Sequence, residues 1–188
     1  MGGEKKLKGL RHVVQDEPDD NFLNGAAFNR GIALLEKSGL VYDILIFERQ
    51  LPAVIQFVDK HPNQKFVLDH IAKPRIGEKM IEPWRGRIAE LARRKNVYCK
   101  ISGMVTEANW KNWTIDDLRP YFDVVLQAFG PARLMAGSDW PVCLLASTHE
   151  RWFHTLEELM AQLSANEKAL IFGGVATDVY QLQESSRG

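Results

Sequence analysis

Cysteine is scarce. Cys99 and Cys143 are the only two, far apart and without CxxC spacing. That excludes a disulfide framework or a thiolate zinc site and reads as two buried thiols in a reducing, cytoplasmic compartment. A charge surplus is also missing, with 24 Lys and Arg against 24 Asp and Glu. The balance leaves no electrostatic footprint for nucleic acid or an anionic membrane. No apolar run approaches the roughly 20 residues of a membrane span, and the opening MGGEKKLKG has no signal-peptide core. There is no GxGxxG and no Walker motif, so dinucleotide-binding and P-loop readings lose their main support. No HxH pair occurs, and the histidines of His149-Glu150 and His154 are five apart, a spacing that does not share a helix face.

What is present is an alternation. Apolar, β-branched runs at 10–15, 42–47, 65–70, 97–102 and 133–138 read as strands. Between and after them, apolar residues at helical spacing predict helices over 20–39, 51–62, 82–95, 114–130, 150–164 and 165–182. Gly39 is placed to stop the first helix, Pro52 to sit in the first turn of the second, and Thr114 with Asp117 to open the fourth. The strand starts are spaced like βα units of roughly 30 residues. Near-continuous apolar strands separated by helices predict an α/β fold with a parallel sheet. The choice is then between a smaller open sheet and part of a (β/α) barrel, whose complete form has eight strands and about 250 residues. One domain spans 1–182, and the tail over 183–188 is expected to fray.

Polar residues gather at the ends of these strands: Gln15, Glu48 and Arg49, Asp69, His70 and Lys73, Lys100 and Ser102, and Asp139. In parallel α/β folds the C-terminal strand ends form the active face. Each residue also has a plainer reading. Asp139 before Trp140 and Pro141 could cap a helix, His70 could be a satisfied core histidine, and Glu48 could be a solvated charge or an arginine partner. Lys100 inside an apolar strand requires a carboxylate or a cavity. A carboxylate facing a histidine across a cleft can activate water, and a cation on the same rim can hold an anion or a developing oxyanion. That combination suits hydrolysis of an ester, lactone or amide.

The segments LKGLRHVVQDEP, YDILIFERQLPAV, FVLDHIAKP, NVYCKISGMVTEA, RLMAGSDWPVC and IFGGVATDVYQL resemble the amidohydrolase-related family, and within it the sugar-lactone hydrolases of the L-fuconolactonase and L-rhamnonolactonase kind. The resemblance implies a distorted TIM barrel with its site on the C-terminal rim. It implies Asp139 as the water-activating base and His70 as its catalytic partner, with Lys100, Arg49, Gln15, Glu48 and Ser102 as substrate contacts. The implied partner is a small molecule, a sugar lactone. A divalent metal such as zinc, if bound, would fall to Asp139 and His70. The alternatives are a metal-dependent decarboxylase or amidase of the same superfamily, and a non-catalytic isoform acting as a binding partner.

The departures from the family pattern are an absent HxH strand and Val175 where asparagine is common. If GSDWP ends the eighth strand, the chain holds the C-terminal five βα units of the barrel. Five strands make an open sheet with two edges. The first and fifth strands are then expected to expose apolar surface. The isolated chain is expected to be inactive on sugar lactones, and aggregation-prone unless an oligomer or an edge-covering partner protects it.

Overall fold

The computed structural model describes residues 6–182, so the tail expected to fray lies outside the described residues. Five parallel strands form one sheet in sequence order: β1 (Gly9–Val13), β2 (Val41–Leu45), β3 (Phe66–Leu68), β4 (Val97–Ile101) and β5 (Leu134–Ala136). The helices are α1 (Ala26–Ser38), α2 (Leu51–Asp59), α3 (Trp84–Leu91), α4 (Met104–Glu107), α5 (Ile115–Phe129), α6 (His149–Leu159), α7 (Ala165–Ala169) and α8 (Val175–Tyr180).

The local signals account for most helix ends. Gly39 adopts φ +70° and stops α1. Pro52 lies in the first turn of α2, where its missing N–H costs no hydrogen bond. The Asp117 carboxylate accepts from both the backbone N–H and the hydroxyl of Thr114, at 2.9 Å each, and fixes the start of α5.

Three elements differ from the sequence reading. The expected helix over 20–39 is a short 3-10 turn, Phe22–Asn24, followed by α1, because Gly25 is extended between them. The last expected helix is interrupted by a wide turn, Leu170–Gly174, that carries two adjacent glycines. The loop after β4 coils into the single turn α4.

Because side chains alternate along a strand, the sheet has two unlike faces. The outer face, with Tyr42, Ile44, Phe66, Leu68, Val97, Cys99, Ile101 and Leu134, joins the large apolar core beneath the helices. The inner face holds a small cluster of Val41, Val67, Met135, Val175 and Val179, closed by Tyr98 and Tyr180. Val175, the departure from the family's asparagine, is buried there and packs as core.

Both sheet ends lack a further strand among the described residues, but they are not alike. β1 is exposed, with Leu10 and Val13 open to solvent beside Leu34 of α1. A groove of about 930 Å³ runs between β1 and α1, walled by Phe22, Phe28, Ile32 and Tyr42. The expectation of exposure fails for β5. Leu134 and Met135 are buried, because the segment from Leu170 to Val179 folds back over this part of the sheet.

Candidate active site

The site is built where β3, β4 and β5 end. After Leu68 the chain enters a tight turn. His70, Ile71, Ala72 and Lys73 all take positive φ, between 48° and 61°. Asp139, just beyond β5, has φ +57°. Left-handed backbone costs non-glycine residues roughly 1–2 kcal/mol each, so five such residues are a large fraction of an ordinary domain's stability. Conformations of this kind persist only where their surroundings over-determine them.

The surroundings do so here. Ile71 and Ala72 are fully buried. The Trp84 indole N–H donates to the Ile71 carbonyl at 2.8 Å, and the Lys73 N–H to the His70 carbonyl at 2.8 Å. Gly103 (φ +64°) lies directly against the His70 ring. A Cβ on Gly103 would come within 2.8 Å of His70 Cβ, so a larger residue there displaces the histidine.

These turns bring together three of the residues expected from sequence. His70 Nε2 lies 3.4 Å from Asp139 Oδ1, and His70 Nδ1 lies 2.8 Å from Ser102 Oγ. The result is a chain of Ser102, His70 and Asp139 across three strand ends. Ser102 is 1% exposed, whereas the Asp139 side chain is 13% exposed. Burial holds the imidazole below its usual pKa and outweighs the nearby carboxylates of Asp69 and Asp139, which favours the neutral ring. Glu107, at the end of α4, feels both Lys73 and Asp139, and burial raises its pKa above the usual carboxylate value.

Of the other expected contacts, Lys100, Glu48 and Arg49 are engaged elsewhere. Lys100 does not stand free at the rim: its Nζ lies 2.6 Å from Asp43 and 2.8 Å from Asp69, on the inner face of the sheet. Asp69, fully buried, also receives Arg11 at 3.0 Å, and Tyr180 donates to Asp43 at 2.7 Å. The ion pairs outweigh desolvation and raise the lysine's pKa. Glu48 is buried against Arg75 at 2.8 Å, its arginine-partner reading. Arg49 pairs with Asp20 at 2.8 Å and donates to the Gln15 backbone carbonyl at 3.3 Å. The Gln15 Oε1 is buried without a hydrogen-bond partner.

The sequence did contain a signal for the Lys100 network. Asp43 within VYDIL is the same anomaly as Lys100 within VYCKI, a charge inside an apolar strand. Each supplies the partner the other requires.

With this geometry in place, the comparisons with known proteins are decisive. The amidohydrolase family model matches residues 1–182. The chain belongs to the amidohydrolase family. Two curated relatives are named L-fucono-1,5-lactonase. The one from Burkholderia multivorans is 44% identical, with 95% of this chain covering 64% of the relative. The one from Burkholderia ambifaria is 34% identical, with 99% of this chain covering 65% of the relative. A crystal structure of an amidohydrolase from B. multivorans, described with bound zinc, superimposes with a TM-score of 0.93 at 42% identity, covering 96% of this chain and 66% of that one. The chain thus spans about two thirds of the length of the relatives it matches. Its five-stranded parallel sheet with alternating helices is the α/β architecture of the amidohydrolase barrel. No helix among the described residues is long and apolar enough to cross a membrane.

The zinc in that relative makes the donor set here worth testing. His70 and Asp139 meet, but among the described residues no third His, Cys, Asp or Glu joins them to form a metal-binding group. A catalytic zinc takes three protein ligands and an open position, and His70 Nδ1 is already bonded to Ser102. The described residues by themselves do not fit a zinc ion.

Proposed function

We propose that this site hydrolyses a sugar lactone, with Asp139 activating water and His70 polarising the carbonyl. The observation that carries the reading is the polarity of the Ser102, His70 and Asp139 chain. Its carboxylate end reaches solvent, with the Asp139 side chain 13% exposed, whereas its hydroxyl end is sealed. In a serine hydrolase the order of use is reversed, since the hydroxyl must reach the substrate. Here the buried Ser102 orients the imidazole, and water meets Asp139.

In this reading Ser102 donates its hydroxyl hydrogen to His70 Nδ1, which leaves the imidazole N–H at Nε2, beside Asp139. Asp139 takes a proton from water as the oxygen adds to the carbonyl carbon. The N–H donates to the carbonyl oxygen, where negative charge grows. The tetrahedral species then collapses with cleavage of the ring C–O bond. Asp139 returns the proton to the departing alkoxide, and the product is a hydroxy acid. L-Fucono-1,5-lactone, the lactone in the names of both relatives, is the substrate to try first.

A second element of the proposal concerns β1. Its exposed edge and the apolar groove beside it support the reading that turnover requires a polypeptide covering that edge. The test joins this chain to the portion of the B. multivorans relative that it does not match and follows acid release from L-fucono- and L-rhamnono-lactones. The expected result is turnover in the joined protein, loss of turnover in its Asp139→Asn variant, and no turnover by the 188-residue chain alone. Turnover that survives Asp139→Asn would overturn the assignment of the base.

A further inference from the structure

We infer that Lys73 is the cation that binds the carbonyl oxygen of the substrate and the carboxylate of the product at the His70 and Asp139 site. The inference rests on the lactonase reading and names the group that reading lacks. An acyl transfer that generates an oxyanion and releases a carboxylate calls for a positive charge near the imidazole, and the basic residues expected from sequence do not supply one. Lys100 is matched by Asp43 and Asp69 on the inner face, and Arg49 by Asp20.

Lys73 differs from both. It closes the left-handed turn that begins at His70, so the backbone that presents the imidazole also presents the ammonium group. The residue is half-buried, and its Nζ lies 5.3 Å from the centre of the Phe47 ring. A ring face steadies an ammonium group without neutralising it. No carboxylate of the described residues comes within 4 Å of it, although its charge is felt at both His70 and Glu107. A half-buried ammonium group on an aromatic face, three residues along the same turn from His70 and with no carboxylate of the described residues at ion-pair distance, is suited to an anionic ligand.

The strain has a place in this account. An ordinary right-handed turn after β3 would set residues 70 and 73 along one helix face. The left-handed run instead holds both on one tight turn, closed by the hydrogen bond from the Lys73 N–H to the His70 carbonyl and locked by Trp84 and Gly103.

The experiment measures binding of a six-carbon aldonate and of the matching neutral alditol to the 188-residue chain by NMR titration, for the native chain and for Lys73→Met and Lys73→Arg. Lys73 already carries positive φ as a non-glycine residue, so neither substitution adds backbone strain. The native chain is expected to prefer the aldonate by about tenfold, the scale of a charge-assisted hydrogen bond. Lys73→Met should erase that preference and leave alditol binding unchanged, while Lys73→Arg should retain it. Equal affinity of the native chain for both compounds, or a preference that survives in Lys73→Met, would overturn the assignment. Failure of the lactonase reading looks different: the aldonate preference would persist and depend on Lys73, while the joined protein left every lactone intact.

Discussion

The two faces of the sheet solve opposite problems. The outer face is a continuous apolar layer in which Phe57, Phe66, Leu68 and Trp84 are fully buried beneath helices. Its stability comes from area removed from water and is spread over many residues. The inner face carries Arg11, Asp43, Asp69 and Lys100 within one set of ion pairs, beside a patch of only five buried apolar residues. Two acids face two bases there, and Asp69 has no exposure at all. Such a network adds little net stability once desolvation is counted, but it is costly to break on one side. The outer face therefore tolerates small changes, and the inner face does not.

The largest effect should come from removing one charge on the inner face. Lys100→Met leaves Asp43 and Asp69 without their shared cation, and unfolding should show a loss of about 3 kcal/mol, the low end for breaking a buried pair. Ile44→Val on the outer face should cost only about 0.5–1.5 kcal/mol. Equal losses in the two variants would remove the distinction between the faces.

Next in size is chemistry at the rim. In the joined protein, Asp139→Asn should lower lactone turnover by at least about 100-fold, equal to about 2.7 kcal/mol, with thermal stability nearly unchanged. Combined with His70→Gln, the double variant should lose far less than the product of the single losses, because the two side chains meet. Multiplicative losses would separate His70 from the base.

Smaller still is the pH dependence of stability. The folded protein holds the His70 pKa below the unfolded value of 6.5, because burial disfavours the charged ring. Below pH 6.5 the unfolded chain therefore binds the proton more readily than the folded one. The stability associated with His70 is full above that pH and declines as pH falls toward the folded pKa. Denaturant midpoints across that window should fall less steeply in His70→Gln than in the native chain.

Gly103→Ala sharpens the comparison from the side of geometry. The new methyl collides with His70 at φ +64°, so turnover should fall even though no charge has changed. Kinetics of the joined protein, read against its melting temperature, would check this.

The sequence by itself determined the alternation of strands and helices, the parallel sheet and the gathering of polar residues at its C-terminal ends. Those features follow from short-range rules: period-two alternation, helical spacing, and glycine, proline and acidic side chains at helix ends. His70, Ser102 and Asp139 could be chosen from this pattern and from the resemblance to a family. Periodicity tells which face a side chain takes, but not which neighbour it meets. Only the packed sheet decided that Lys100 turns to Asp43 and Asp69, that Glu48 turns to Arg75, and that Ser102 reaches His70. The left-handed turn was equally hidden, since Ile71 and Ala72 carry no local preference for it. Burial of those two residues, the Trp84 hydrogen bond and the space left by Gly103 hold the turn, and all three come from parts of the chain brought together only by folding.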